Sequence, residues 1–243
     1  MSRKRRAGCL GVLIALLVLL LIALGVVDRV AAGIAEQRLA EEVEKAARAE
    51  NAIPAGTTAD ITGYPFLTQV WSGEYDGGRI EMESVRTEQL TIANVDITVN
   101  GLTIPRDILF GAEPHDITAS TMRGGATVSL KELATRIGFP GLKINGAGNR
   151  VRFAAPLSFA GFTAQIEGDA AVRLDGDRVW LDIGEVSAGG VRVPDQALDV
   201  LRNQLQAGAR IPPLPYDLRL TGIRVEGSTV RVTAAGDNVS LVR

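Results

Sequence analysis

The sequence predicts an α+β fold that is mostly β: an N-terminal membrane-crossing or signal helix, then a long, curved antiparallel sheet interrupted by a few amphipathic helices. Three observations predict it. Residues Gly8 to Val27, GCLGVLIALLVLLLIALGVV, carry no charge. From Ala59 onward the chain is rich in Val, Ile, Thr and Phe with period-two alternation, broken at short intervals by Gly, Asp and Pro. That alternation also changes phase inside several segments, as it does where a strand bends at a bulge.

The first element is the apolar one. As a helix, Gly8 to Val27 rises about 30 Å, the hydrocarbon thickness of a bilayer. Arg3, Lys4, Arg5 and Arg6 precede it, whereas the signs of Asp28 and Arg29 cancel after it. The basic end is expected in the cytoplasm and everything from Asp28 onward outside. The span is either a permanent anchor or the core of a cleaved secretory signal, for which Val30-Ala31-Ala32 supplies small residues. Its length favours the anchor, since signal cores run to roughly 7 to 15 residues. Cys9 precedes the apolar run and so is not placed for lipid attachment. The expected organisation is a basic cytoplasmic segment (1–7), the span (8–27), an amphipathic helix (28–50) and a β-rich domain (51–243).

In the helix after the span, Val30, Ile34, Leu39, Val43 and Ala46 recur with acidic residues largely between them, until Pro54 and Gly56 stop it. Two hairpins follow from turn chemistry, one at Leu174-Asp175-Gly176-Asp177 and one at Glu226-Gly227-Ser228. The alternation slips after Asn94, at Gly124-Gly125, at Gly161 and at Thr221-Gly222. Each slip is a bulge that curves the sheet or a short turn between separate strands. Ser129-Leu130-Lys131-Glu132 has capping-box form and opens a helix carrying Leu130, Leu133, Ala134 and Ile137 on one face. A second helix is expected from Asp195 to Gln206, with Leu198, Leu201 and Leu205 on one face. Pro105 to Phe110 has the composition of a single helical turn. Gly101 to Pro105 and Gly190 to Pro194 echo each other weakly.

Composition narrows the function. Without the four basic residues ahead of the span, 22 Lys and Arg face 28 acidic groups. This net acidic domain has no footprint for nucleic acid, and any binding of lipid must rest mainly on apolar contact. Cys9 is the sole cysteine, so the domain is held by its core without a disulfide. His115 is the sole histidine and follows Glu113-Pro114 in a loop; no G-x-S-x-G elbow accompanies it. Zinc lacks a ligand set, and neither a dinucleotide fingerprint nor a Walker sequence is present. The carboxylate pairs Asp175/Asp177 and Glu81/Glu83 have the spacing of solvated hairpin and strand faces. The sequence therefore predicts no enzyme, no cofactor and no metal.

Apolar side chains instead stand in turn regions, where polar residues are the rule. Phe66, Leu67 and Trp71 surround Pro65, Leu109 and Phe110 follow Asp107, and Leu214 sits within Ile211-Pro212-Pro213-Leu214-Pro215-Tyr216. These residues, with Phe159 and the Leu198, Leu201 and Leu205 face, are the candidate lipid contacts; the alternative is that they plug the ends of the sheet. Arg106 and Arg123 are candidates to select a headgroup.

Ile61-Thr62-Gly63-Tyr64-Pro65-Phe66-Leu67-Thr68-Gln69-Val70, followed by Gly73 and Tyr75, resembles the signature of the LmeA-like phospholipid-binding proteins of actinobacterial envelopes. Gly101 to Pro105, Ala126 to Leu133 and Leu214-Pro215-Tyr216 add weaker matches, so the resemblance spans roughly Ile61 to Leu241. It implies a fold similar to tubular lipid-binding modules, a long curved antiparallel sheet wrapped around one or two amphipathic helices. It also implies phospholipid binding on the periplasmic side of the membrane in support of envelope glycolipid assembly, and no catalytic residues. The expected protein holds or transfers acyl chains, with phospholipid, the cytoplasmic membrane and envelope glycosyltransferases as partners. The alternative is a scaffold for such a glycosyltransferase without lipid cargo. An anchored chain belongs to the cell membrane and a cleaved one to the periplasmic space.

Overall fold

The computed structural model describes residues 3–88, 90–137, 141–159, 162–193, 209–210 and 213–242. Helix α1, Arg3–Ala49, joins the apolar segment to the amphipathic one without a break. Its first part is long and apolar enough to cross a membrane, and Ile14, Leu16 to Ile22 and Leu24 are exposed. From Asp28 the helix becomes two-sided. Asp28 and Ala32 are buried and Ala31 and Ala35 pack against the domain, whereas Val27, Val30 and Ile34 on the other side stay exposed. These sets follow helical spacing, so one stripe meets the sheet and the other continues the apolar surface of the span. Asn51 at φ 59° turns the chain out of the helix toward β1, Gly56–Thr62.

The other strands are β2 (Glu74–Arg86), β3 (Thr91–Thr103), β4 (Thr118–Ser129), β5 (Lys143–Gly148), β6 (Arg150–Phe159), β7 (Phe162–Asp175), β8 (Arg178–Ala188), β9 (Val191–Arg192), β10 (Ala209–Arg210), β11 (Arg219–Gly227) and β12 (Thr229–Ser240). They form one open, curved, antiparallel sheet in the order β1-β2-β3-β4-β12-β11-β5-β6-β7-β8-β10, with β9 beside β8. Among the described residues there are also two short helices, α2 (Phe66–Ser72) and α3 (Leu130–Ile137), and 3-10 turns at Arg106–Phe110 and Pro215–Asp217. The turn at Arg106–Phe110 is the one expected after Pro105.

The sheet has two wings joined at a seam where β11 pairs with β5 over three residues, Val225 to Gly227. The densest core covers this seam. Leu130 and Leu133 of α3 pack there with Val151, Ala170, Val172, Val225 and Val230. Ser129 caps α3 through Oγ, which accepts from the Lys131 amide at 3.2 Å. The reciprocal half of the expected capping box is absent, because the Glu132 carboxylate turns to the Thr91 amide at 3.2 Å and ties α3 to β3.

Both expected hairpins form, with Asp175 opposite Arg178 and Glu226 opposite Thr229. Two of the four phase slips are bulges, at Ile92/Asn94 between β3 and β4 and at Leu220/Gly222 between β11 and β12. The slip at Gly161 lies outside the described residues; on either side of it Phe159 of β6 pairs with Phe162 of β7. At Gly124-Gly125 no residue is inserted, and β4 pairs without interruption with β12. The phase changes earlier, since Ala119 and Met122, three residues apart, are both buried in one cluster. The cause is a crease running across neighbouring strands. Gly77 (φ 151°) pairs with Asn100, Gly101 (φ 60°) lies beside Ser120, and Asn238 (φ 50°) stands between the pairs Asp237/Thr121 and Val239/Ala119. Because the strands bend together, side chains change face while register survives. One bulge was not foreseen, at Gly168/Ala170 between β7 and β8, where the Asp169 carboxylate accepts from the Glu185 amide at 3.2 Å.

Candidate functional site

Directly paired residues on neighbouring strands share a face of the sheet, so the register maps its surface. In one wing the rows are Ile80, Ile97, Gly124, Ala234, Leu220, then Met82, Val95, Ala126, Val232, Ile223. A third row runs Ile92, Val128, Val230, Val225. Each row is apolar throughout. In the first two, large side chains on β2, β3 and β11 flank a glycine or alanine on β4. The result is a trough along β4 and β12, floored by Gly124, Ala126 and Ala234 and closed toward the seam by Val128, Val230 and Leu130. Ile80, Val95, Ile97, Ala126, Val232, Ala234 and Leu220 are only half-buried. A Cβ at Gly124 would meet nothing nearer than the Asp96 carbonyl oxygen at 3.9 Å.

The opposite face is polar. Gly125 faces it, and a Cβ there would lie 2.6 Å from the Arg231 guanidinium and 2.7 Å from the Asp96 carboxylate. The second glycine of the pair thus makes room for the ion pair of Asp96 and Arg231, which bridges β3 and β12. Arg123 alternates onto this polar face, beside Thr98 and Ala235. In the other wing the polar face carries a groove of about 1210 Å³ lined by Lys143, Arg150, Arg152, Glu167, Asp169, Glu185 and Arg192 among others. Arg150 pairs with Asp169 at 3.4 Å and Arg192 with Glu185 at 3.2 Å. Val151, Phe153, Ala154 and Val186 also line it, but an acyl chain laid there would take these ion pairs out of water, a cost that the apolar rows of the trough do not carry.

A second centre of organisation is the joint between α1 and the sheet. Helix α2 begins at Pro65, whose side chain cannot accept a hydrogen bond, so its first amides lack a local cap. Asp28 of α1 supplies one: its two carboxylate oxygens accept from the amides of Phe66 at 3.0 Å and Leu67 at 2.8 Å. The carboxylate is nearly fully buried, and these two donors compensate its lost hydration. Further along α1, Glu36 accepts from the Ile61 amide at 3.0 Å. Gln69 is buried and its carbonyl oxygen accepts from the Asp76 amide at 2.8 Å. Gly63 (φ 98°) is obligatory, because a Cβ would lie 2.4 Å from the Asp76 carboxylate and 2.6 Å from the Gln69 amide nitrogen. Phe66 packs on Tyr75 with ring centroids 6.4 Å apart, beside Ala32. Burial of Tyr75 raises its pKa above the usual tyrosine value. The Ile61-to-Val70 signature therefore joins α1, β1, α2 and β2.

The sequence-predicted contacts are scattered. Phe66 lies in the joint, whereas Leu67 and Trp71, one helical turn apart, are exposed on the outer side of α2. Leu214 is half-buried ahead of the Pro215–Asp217 turn. Leu109 and Phe110 end the Arg106–Phe110 turn, in which Arg106 is exposed, and Phe159 ends β6. Leu198, Leu201 and Leu205, and the helix expected around them, lie outside the described residues. The trough residues were read from the sequence as ordinary strand positions. Alternation reports that a residue faces inward but not which residues share a row, and the register supplies that. The signal available was the small set Gly124, Ala126 and Ala234 within otherwise β-branched strands. The sequence offers Asp28 only the adjacent Arg29, whose guanidinium stands 4.0 Å from it, and not the two amides that hold it.

His115 is exposed, with Nδ1 2.8 Å from the Glu113 carbonyl oxygen and Nε2 3.3 Å from the Asp107 carboxylate. The Glu113 contact, aided by Asp107 and Asp116, raises its pKa. Among the described residues no group of three or more His, Cys, Asp or Glu could hold a metal ion. No curated protein and no solved structure matches the chain. The model of one family, LmeA-like phospholipid-binding, matches residues 26–235, from the end of the span through most of β12. By that match, which covers the joint, the trough and both wings, the chain belongs to the LmeA-like phospholipid-binding family.

Proposed function

We propose that the protein is a non-enzymatic phospholipid-binding protein of the cell envelope, anchored by α1, that lays acyl chains along the β4–β12 trough and supports envelope glycolipid assembly. The observation that carries this reading is an apolar sheet face with a floor of small residues between walls of Ile, Val and Leu, in a chain of a phospholipid-binding family. From Met122 to Val128 the trough runs six residues, or about 20 Å, against about 15 Å for a chain filling one leaflet. Each methylene removed from water contributes roughly 0.8 kcal/mol, so apolar contact can supply most of the affinity of an acidic domain. Arg123 stands on the polar face, which leaves Arg106 as the headgroup candidate of the two.

The test uses the full chain in detergent micelles, examined by native mass spectrometry for retained phospholipid. Wild type should retain lipid and take it up from liposomes. In Gly124→Leu the new side chain occupies the space of about three methylenes, which costs roughly 2 to 2.5 kcal/mol and weakens binding about thirty- to sixtyfold. A lipid-free mass in repeated preparations, with no uptake from liposomes, would sink the reading.

A further inference from the structure

We propose that α2 and the Tyr64 ring form a foot that rests in the headgroup layer of the bilayer beside the point where α1 leaves it. The proposal rests on reading Gly8 to Val27 as a retained anchor. The occupant of this surface follows from its continuity with the span. Tyr64 stands against the last turn of the apolar segment: a Cβ at Gly25 would lie 3.4 Å from the Tyr64 hydroxyl oxygen. One turn later Arg29 lies over the same ring, its guanidinium carbon 5.3 Å from the centroid. The next residue back, Asp28, holds the amides of Phe66 and Leu67. The start of α2 is thereby fixed at the level of the end of the span and cannot drift away from it.

The inner side of α2 is satisfied by Phe66, Gln69 and Val70, which pack into the domain. Its outer side is not. Trp71 is 79% exposed, Tyr64 65% and Leu67 40%. Water is a poor neighbour for this set, whereas the membrane interface suits it, since Tyr and Trp place an apolar ring and a polar edge there. Val27, Val30 and Ile34 carry the exposed apolar stripe of α1 past the span, and Arg29, with its side chain 57% exposed, is placed to meet lipid phosphates. A foot of this kind also fixes the height of the sheet, setting the crease end of the trough close to the leaflet from which lipid would enter.

The indole reports directly. The full chain is reconstituted into phosphatidylcholine vesicles whose acyl chains are brominated just below the headgroups, and only protein that floats with the vesicles is measured. Wild-type emission should be quenched, and the response should vanish in Trp71→Phe, whose remaining indole is Trp180; replacement at so exposed a position leaves folding intact. A floated wild type that does not respond, or a Trp71→Phe chain quenched as strongly as wild type, overturns the foot and leaves the anchor standing, with a protein partner as the alternative occupant. A chain that fails to float overturns the anchor reading and the foot with it.

Discussion

The joint and the trough are built in opposite ways within one sheet. At the joint the acceptors are committed, Asp28 to two amides, Glu36 to Ile61 and the Gln69 carbonyl oxygen to Asp76, and Gly63 holds a φ of 98° that L side chains rarely adopt. In the trough Ile80, Val95, Ile97, Val232 and Leu220 are only half-buried, the floor is small, and a Cβ at Gly124 would meet only the Asp96 carbonyl oxygen, at 3.9 Å. A region that must hold one geometry is over-determined, and a region that must accept a flexible chain is left unfilled. Changes at the first should therefore cost stability, and changes at the second should cost binding.

The largest loss is expected at the crease, where the sheet turns between these regions. Gly77→Ala forces φ 151° on an L side chain and puts its Cβ 2.1 Å from the Val99 carbonyl oxygen. A loss on the order of 3 to 5 kcal/mol follows, read as a lowered unfolding midpoint of the full chain in micelles. Asp28→Ala is next. Two buried amides lose their acceptor, which costs about 2 to 3 kcal/mol, and Asp28→Asn should recover part of that. If Asp28→Ala melts like wild type, the joint is not the clamp its geometry indicates.

Gly124→Leu sharpens the contrast, because a Cβ there meets nothing nearer than 3.9 Å, so it should shift stability by less than about 1 kcal/mol while lowering retained lipid. Equal losses of both would mean that the trough is core. The smallest effect is at Tyr75. Its folded pKa is raised by burial, so its contribution is complete below the unfolded value of about 10 and is lost as pH rises through the folded value. In Tyr75→Phe that part of the alkaline destabilisation should disappear from a pH titration of the unfolding midpoint.

Much of the fold was legible because it depends on local chemistry. The two hairpins, the Ser129 cap and the bulges near Asn94 and Thr221 all rest on residues within a few positions of one another. The Gly124-Gly125 slip was misplaced for the same reason. A crease shared by several strands leaves register intact, so a single strand cannot distinguish it from an inserted residue. The site was less legible. Phe66, Leu67 and Trp71 were singled out as large apolar residues near a turn, but whether such a residue faces core, cavity or bilayer depends on what the fold brings against it.

By itself, then, the sequence determined a membrane-length helix, a disulfide-free acidic β domain behind it, and, through the Ile61-to-Val70 signature, a phospholipid-binding family. Those follow from composition, periodicity and short motifs, which survive without knowledge of the fold. Only the tertiary structure decided that Asp28 caps a helix 38 residues away, and that Gly124, Ala126 and Ala234 lie side by side. A carboxylate's partner and a trough's floor are both set by strand order and register, which join residues that the chain keeps far apart.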